Sequence, residues 1–309
     1  MAKITRREAL GAVVHSLSVV LLFPRLSGAS STFEVDHPLM PPSKAFSGQC
    51  PVCGMLRSMW ARTWISFDET DGISEVCSFH CLADFTLKSG GLPVGIRLAV
   101  YHAPATGVAA EKATVVIGSS AKGTMSPKSK IVFDSDQEAA DFVRSYGGQP
   151  ASFKSALEIA RAAVSRENAM WVKKRLKKGK IVAPAAGDRC PVCEMYPARY
   201  PENRCQVQTK DRKTSHFCST RCLFTFLENP AKYGWPATGP HLVWVTDLHS
   251  GNWIGGRSAY YVVGAKDRFG PMGFEAFAFD RKNDASAFVN KNGGRILLFK
   301  EVSIDKILR

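Results

Sequence analysis

One cysteine arrangement occurs twice in the sequence, and this repeat restricts the possible folds more than any other feature. In each copy, a Cys-x-x-Cys-x-Met segment is followed about two dozen residues later by a Cys-x-x-x-Cys segment. The two copies consist of Cys50, Cys53, Met55, Cys77 and Cys81, and of Cys190, Cys193, Met195, Cys218 and Cys222. Eight of the nine cysteines belong to these copies, so the sequence predicts one metal or thiol chemistry used twice.

The residues around each cysteine pair predict how the thiols converge. Pro51 follows the first thiol and Gly54 follows the second, which suits a tight turn whose backbone amides face the sulfurs. A hairpin pattern comes next, and the residues after Cys77 have helical spacing. Because Cys77 and Cys81 are four residues apart, a helix that begins by Cys77 would place both thiols on one face, directed at the turn.

Hydrophobic periodicity predicts an α+β fold with two tandem domains. Each domain is expected to contain two strand-strand-helix-strand units, with antiparallel sheets and helices on one face, and a long basic helix is expected to join the domains. A chain of 309 residues is long enough for two separate cores. The predicted organisation is an export signal over 1–29, an extended lead-in over 30–47, a first metal-binding domain over 48–155, a basic helical linker over 156–187, and a second metal-binding domain over 188–309.

The first 29 residues resemble a twin-arginine export signal. Arg6-Arg7 precedes an apolar run that is too short for a comfortable spanning helix, and Ser27-Gly28-Ala29 offers a small-residue cleavage site. This predicts a periplasmic or otherwise extracytoplasmic protein; a general secretory signal or an uncleaved anchor is the alternative. No cysteine lies near the cleavage site, so we expect no lipobox. No other stretch approaches membrane-spanning length, so we expect no stable membrane insertion after cleavage.

The charge balance restricts the partners but does not select one. Lysine and arginine number 41 against 27 acidic residues, a formal charge of +14 that favours acidic proteins, anionic membranes or nucleic acid. Basic residues cluster at the end of the predicted linker helix, over 173–180, either as a solvated helix end or as a docking site for an acidic partner. No acid–base pair, activated nucleophile or phosphate loop stands out, so we expect a protein that is not an enzyme. Of the partners that the charge allows, we expect a client protein and not nucleic acid.

Three chemistries fit a Cys-x-x-Cys paired with a Cys-x-x-x-Cys. Four converging thiolates could bind Cu(I) or Zn(II). Disulfide bonds are compatible with a compartment outside the cytoplasm. Thiol redox catalysis normally uses one exposed thiolate in a single Cys-x-x-Cys at a helix start. The spacing favours metal binding over the other two.

Methionines near the motifs bear on the choice of metal, since a thioether is a good ligand for Cu(I) and a poor one for Zn(II). Met55 and Met195 lie two residues after the Cys-x-x-Cys pairs, and Met125 and Met272 occupy loops rich in glycine and proline. Packing in the core is the competing interpretation for all four. His80 lies inside one Cys-x-x-x-Cys but Arg221 replaces it in the other, so we do not expect it to be a ligand common to both sites.

These segments together resemble the NosL family, the accessory proteins of nitrous oxide reductase. The resemblance covers most of 48–155 and 188–303, and the Cys-x-x-x-Cys pairs add a partial likeness to cysteine metallochaperone domains of the TRASH type. The segments that carry it are Cys50-Pro51-Val52-Cys53-Gly54-Met55 with the strand and cysteine-bearing helix behind it, and Met272-Gly273, Phe279, Ala287-Phe288 and Gly293-Gly294-Arg295-Ile296-Leu297.

The resemblance implies a Cu(I) chaperone outside the cytoplasm that supplies nitrous oxide reductase or another copper-dependent client protein. It implies Cys50, Cys53, Met55 and Met125 as ligands of one site, and Cys190, Cys193, Met195 and Met272 as ligands of the other. The chain departs from the family pattern in its duplication, its missing lipobox cysteine, its Glu194 in place of glycine, and its added Cys-x-x-x-Cys pairs. Those pairs either complete the copper sites or hold Zn(II), which keeps a structural zinc module and a dithiol redox partner as alternatives.

Overall fold

The computed structural model describes residues 48–70 and 72–309. The predicted export signal and lead-in lie outside these residues. Among the helices of the described part, none is both long and apolar enough to cross a membrane.

The first half contains two antiparallel sheets that follow each other along the chain. The four-stranded sheet has the order β2-β1-β3-β4 and the three-stranded sheet the order β6-β5-β7. The strands are β1 (Ile65–Glu69), β2 (Gly72–Val76), β3 (Val94–Ala99), β4 (Gly107–Ala109), β5 (Thr114–Ile117), β6 (Lys130–Phe133) and β7 (Gln149–Ser152). The helices are α1 (Arg57–Trp60), α2 (Phe79–Ser89), α3 (Asp136–Tyr146) and α4 (Phe153–Lys177).

The second half repeats this plan, which confirms the predicted α+β class. Its sheets have the orders β11-β10-β8-β9 and β13-β12-β14. The strands are β8 (Cys205–Gln208), β9 (Thr214–Phe217), β10 (Leu242–Thr246), β11 (Trp253–Gly255), β12 (Tyr260–Val263), β13 (Phe277–Phe279) and β14 (Arg295–Leu298). The helices are α5 (Thr220–Glu228), α6 (Lys282–Asn292) and α7 (Ile304–Leu308).

The strand register places Cys205 where the first half has Ile65. Ile65 pairs with Val76 on one side and Leu98 on the other, whereas Cys205 pairs with Phe217 and Val245. Cys205 is fully buried, as expected for a small apolar residue in a central strand. The ninth cysteine therefore belongs to the hydrophobic core of the second sheet and not to a cysteine cluster.

Two details of the fold differ from the sequence prediction. Each four-stranded sheet has a short edge strand, β4 or β11, that was not predicted, because three residues are too few to show alternation. Helix α4 begins at Phe153, before the predicted linker over 156–187, and two of its apolar residues, Ile159 and Leu176, are 38% and 44% exposed. Its buried stripe ends at the charged residue Glu167, which is 3% exposed.

Candidate metal centres

Both Cys-x-x-Cys segments form the same tight turn. In the first, the amide of Cys50 donates to the carbonyl of Met55 and the amide of Gly54 donates to the carbonyl of Cys50, both at 2.8 Å. The equivalent bonds in the second turn, from Cys190 to Met195 and from Glu194 to Cys190, are both 2.9 Å. The sequence difference between the two turns therefore leaves their hydrogen bonding unchanged.

The fifth residue of each turn has a left-handed backbone. Gly54 has φ +78° and Glu194 has φ 65°. Glycine adopts this conformation freely, whereas a residue with a Cβ pays a steric cost. Gly54 meets a second restriction, because a Cβ there would lie 2.3 Å from the carbonyl oxygen of His241 in the second half. Glu194 is exposed, so its side chain extends into solvent without such a contact.

A serine caps the helix at each Cys-x-x-x-Cys segment. Ser78 and Ser219 follow the first cysteine of the pair, and their side chains accept hydrogen bonds from the amides of Cys81 and Cys222. The cap ends the extended backbone after Cys77 and starts α2 at Phe79. The helix thus begins two residues later than the prediction required, yet the Sγ atoms of Cys77 and Cys81 are still only 3.5 Å apart.

The turn and the capped helix bring four sulfurs together in each half. In each set, the ligand atoms all lie within 4.8 Å of one another. Cys53 Sγ is 3.5 Å from Cys77 Sγ, and Cys193 Sγ is 3.3 Å from Cys218 Sγ. A tetrahedral ion with metal–sulfur bonds of about 2.3 Å separates its ligands by about 3.8 Å. The first cluster (Cys50, Cys53, Cys77, Cys81) and the second cluster (Cys190, Cys193, Cys218, Cys222) each have space for one ion, and all nine cysteines are free thiols.

Burial differs within each cluster in the same way. Three of the four cysteines are buried, while the second residue of the Cys-x-x-Cys pair, Cys53 or Cys193, is partly exposed. Each cluster therefore has one partly exposed cysteine and three cysteines inside the protein.

The first cysteine of each cluster is the preferred thiolate. Hydrogen bonds from the thiols of Cys218 and Cys222 lower the pKa of Cys190 to about 2. Burial acts to raise the pKa of Cys50, but hydrogen bonds from its three neighbouring thiols outweigh this effect and lower the pKa well below its ordinary value. The pKa of Cys77 is raised, by burial and by the negative charge that these bonds favour on Cys50. A soft cation would replace the protons that the neighbouring thiols share with this thiolate.

The methionine loops lie beside the clusters and are held through their backbone. Met125 is 4% exposed with φ 57°, and its carbonyl accepts a 2.7 Å hydrogen bond from Trp171 Nε1 of α4. The carbonyl of Met272 accepts from Arg221 of α5. Met125 belongs to the core that contains the first cluster, and Met55 packs against that core. Met195 and Met272 pack against the core around the second cluster.

A buried carboxylate lies behind each Cys-x-x-x-Cys helix, and the sequence did not reveal either one. Glu167 contacts His80 at 2.7 Å and accepts a hydrogen bond from Ser126, the residue after Met125, also at 2.7 Å. Glu275 accepts from the hydroxyl of Thr220 and from the amide of Arg221. Both ring nitrogens of His80 are within hydrogen-bond distance of α4 residues, so the residue links α2 to α4, consistent with the expectation that it is not a common ligand.

A family model matches this chain over much of its length. The model describes NosL, and it matches residues 97–163 and 181–307. The second match contains the whole second cluster, whereas the first match begins after Cys81 and leaves the first cluster outside.

Curated relatives and a solved structure are similar to parts of the chain. The copper-binding lipoprotein NosL of Stutzerimonas stutzeri is 32% identical over 123 residues, which are 37% of this chain and 62% of that protein. The protein of the same name from Achromobacter cycloclastes is 38% identical over 58 residues, or 19% of this chain and 30% of that protein. The crystal structure of the copper chaperone NosL from Shewanella denitrificans is 30% identical, covers 40% of this chain and 95% of its own, and has a TM-score of 0.36. The chain thus spans less than two thirds of the length of these curated relatives.

Proposed function

The chain belongs to the NosL family, and on this premise we propose that it binds Cu(I) at both cysteine clusters and delivers it to a client protein. The client implied by the family is nitrous oxide reductase during the assembly of its copper centres, with another copper-dependent protein as the alternative. The curated relatives named above are copper-binding proteins, which supports cargo transport by ligand exchange in place of catalysis.

The observation that carries this proposal is the partly exposed cysteine in each cluster. A metal moves between two proteins by ligand exchange, in which the receiving ligand binds before the last donor ligand leaves. Cys53 and Cys193 are accessible to such a ligand, while their buried neighbours keep the ion in place. Sulfur ligands favour Cu(I) over hard cations.

We assign four cysteines and two methionines to each copper site. The first site would comprise Cys50, Cys53, Met55, Cys77, Cys81 and Met125, and the second Cys190, Cys193, Met195, Cys218, Cys222 and Met272. The methionines would act as thioether ligands that exchange with the partly exposed cysteine as the ion enters or leaves.

We place this function outside the cytoplasm. The curated relatives are named lipoproteins, and this chain has an N-terminal segment with paired arginines that would direct export. In this proposal the two metal-binding domains, 48–155 and 188–309, leave the cytoplasm already folded, joined by the linker over 156–187.

Anaerobic titration with Cu(I) in the presence of a competing Cu(I) chelator tests the proposal. We expect two Cu(I) ions per wild-type chain, one in Cys53→Ser and one in Cys193→Ser, because each change removes one sulfur from a single cluster. The thiolate-to-copper absorption band should stop increasing at the same numbers of Cu(I) ions per chain. If the chelator leaves no copper on the wild-type chain, the copper assignment is wrong.

Delivery needs a second experiment. Copper-loaded chain is mixed with copper-free nitrous oxide reductase, and reductase activity and copper content are measured. We expect the loaded wild-type chain to restore activity faster than the same total copper supplied as chelate. Copper transfer without activation would point to another client, and no transfer would remove the delivery proposal.

Structural zinc is a second candidate, and the closure of the clusters favours it. Neighbouring sulfurs in the two clusters lie 3.3 to 3.8 Å apart, which is close to the spacing in the closed tetrahedral arrangement of structural zinc sites. Zinc that resists mild chelators on the isolated chain, and that Cu(I) does not displace, would support this function. Zinc in one cluster and copper in the other would divide the two roles between the halves.

A further inference from the structure

A cavity of about 790 Å³ lies between the first cluster, helix α4 and the second half. Cys53, the partly exposed cysteine, is in its wall, and Met125 lines it as well. Trp244 of β10 and Trp253 of β11 also line it. This volume is typical of small-molecule binding sites. The first cluster therefore opens into a space whose walls come from both halves of the chain.

The cavity is lined by more positive than negative side chains. Its carboxylates are those of Asp247 and Asp280, and the Asp247 carboxylate already accepts from the amide and the hydroxyl of Ser250. Its cationic residues are Lys173, Arg175, Arg204, Arg257 and Arg281. An anion is the ligand that such a lining attracts.

Three of these arginines are held in position by aromatic rings. The guanidinium carbon of Arg175 lies 4.8 Å from the ring centre of Trp244, and that of Arg204 lies 5.1 Å from Trp253. Arg257 stacks at 5.4 Å on Phe299 of the second half. Stacking fixes a guanidinium plane while leaving its edge N–H groups for other partners. The cations are therefore already arranged before a ligand arrives.

Several buried donors of the cavity lack an acceptor. Trp244 Nε1, Arg204 Nε and Arg257 Nε are buried and have no hydrogen-bond partner among the described residues. Trp244 is only 3% exposed. A buried donor without an acceptor is destabilising, and a ligand rich in acceptors would recover this loss. Among the described residues, the buried carboxylate oxygens without a hydrogen bond belong to Glu138 and Glu275, and neither residue lines the cavity.

We propose that this cavity binds a small carboxylate-bearing thiol as its Cu(I) complex, and that this complex loads the first cluster through Cys53. The carboxylates would accept from Arg204, Arg257 and Trp244, which places the copper beside the cysteine. The sulfur of Cys53 binds copper as its proton leaves, one carrier thiolate leaves copper, and that thiolate takes up the proton. Copper stays Cu(I) throughout, so no oxidant or reductant is needed.

Carboxylate binding can be measured without copper, because three tryptophans line the cavity and report its occupation by fluorescence. The full chain is titrated with mercaptosuccinate, with the thiol-free tricarboxylate tricarballylate, and with neutral mercaptoethanol. We expect saturable quenching by mercaptosuccinate and tricarballylate but not by mercaptoethanol. The affinity for both carboxylate compounds should fall at least about tenfold in the variant Arg204→Gln/Arg257→Gln. The matched control is Arg189→Gln/Arg199→Gln, whose arginines stack on Tyr196 and do not line the cavity. Equal quenching by all three compounds, or equal weakening in the control, would overturn the site.

The carrier role rests on the proposed function, and a copper arm tests it separately. Cu(I) is supplied as its mercaptosuccinate or mercaptoethanol complex, and loading is followed by thiolate-to-copper absorption. We expect the mercaptosuccinate complex to load the chain about tenfold faster, with this advantage lost in Arg204→Gln/Arg257→Gln and in Cys53→Ser. Carboxylate binding without faster loading would overturn the carrier role. A chain that binds carboxylates but no Cu(I) would instead refute the proposed function.

Discussion

His80 Nδ1 lies 2.7 Å from Glu167 Oε2, and this contact joins the helix that carries Cys81 to helix α4. Both side chains are almost fully buried, at 1% and 4% exposure. In the second half, Arg221 takes the place of His80 and holds the methionine loop directly, through the carbonyl of Met272. The two clusters are thus alike in their sulfurs and different in what supports them.

His80→Ala should destabilise the chain by about 3 kcal/mol, because it leaves the Glu167 carboxylate buried without its main partner. Urea unfolding followed by circular dichroism measures the change in the free energy of unfolding. His249→Ala is the control, since that histidine is exposed and should change stability by less than about 0.5 kcal/mol. Equal losses in the two variants would show that the contact contributes little.

The two buried carboxylates should respond to pH in opposite directions. Burial acts to raise the pKa of Glu167, but hydrogen bonds from His80 and Ser126 lower it below the usual 4.5. Because a lowered pKa stabilises the fold only while the group is ionised, this contribution is present above 4.5 and is lost as pH falls through the lowered value. The stability advantage of the wild type over Glu167→Gln should therefore shrink in acid.

Glu275→Gln provides the matched comparison, since burial raises the pKa of Glu275 above 4.5. A raised carboxylate pKa favours the fold at low pH, and this contribution is lost as pH rises from 4.5 through the raised value. The stability of the wild type relative to Glu275→Gln should therefore increase as the solution becomes acidic. Unfolding free energies of both variants, measured from acid to neutral pH, check the signs. Parallel trends in the two variants would refute this account.

The cysteine spacing and the period of the apolar residues were enough to predict the doubled fold. The spacing between the Cys-x-x-Cys turn and the capped helix depends on local sequence. The same is true of strands such as Ile65–Glu69. The bounds of helix α3, Asp136–Tyr146, depend on local sequence as well, because its apolar face and its Gly147-Gly148 ending are both local signals.

The support of the clusters could not be predicted in the same way. Glu167 and Trp171 lie more than 40 residues along the chain from the loop that they hold. Helical spacing does not indicate that the buried stripe of α4 ends in a charged residue. The contact of Gly54 with His241 and the cavity beside Cys53 both arise where the two halves meet. A pattern that describes each half separately carries no information about such contacts.

Gly54→Ala should lower the free energy of unfolding. This loss should be much larger than the cost of having Glu194 at the equivalent position of the second turn. The new Cβ would be strained at φ +78° and would meet the carbonyl oxygen of His241 at 2.3 Å. We expect a loss of about 2 kcal/mol or more, from left-handed strain and displacement of the second half. Glu194→Gly should instead raise the free energy of unfolding by about 0.5 kcal/mol, since it removes strain from an exposed turn. Thermal unfolding compares the variants, and equal effects would contradict the role of His241.

Methionine ligation gives the sharpest distinction between copper and zinc. Met125→Leu and Met272→Leu each replace a thioether with an apolar group of similar volume, so core packing changes by less than about 1.5 kcal/mol. If these methionines are ligands, each variant should weaken Cu(I) binding at its own site by about tenfold, or ~1.4 kcal/mol, and leave Zn(II) binding unchanged. Met170→Leu is the control, since Met170 is 37% exposed on α4. Competition with a Cu(I) chelator and with a Zn(II) chelator gives the two affinities. Losses of the same size for both metals would mean that the methionines shape the clusters through packing, and unchanged affinities would leave the four sulfurs as the complete ligand set.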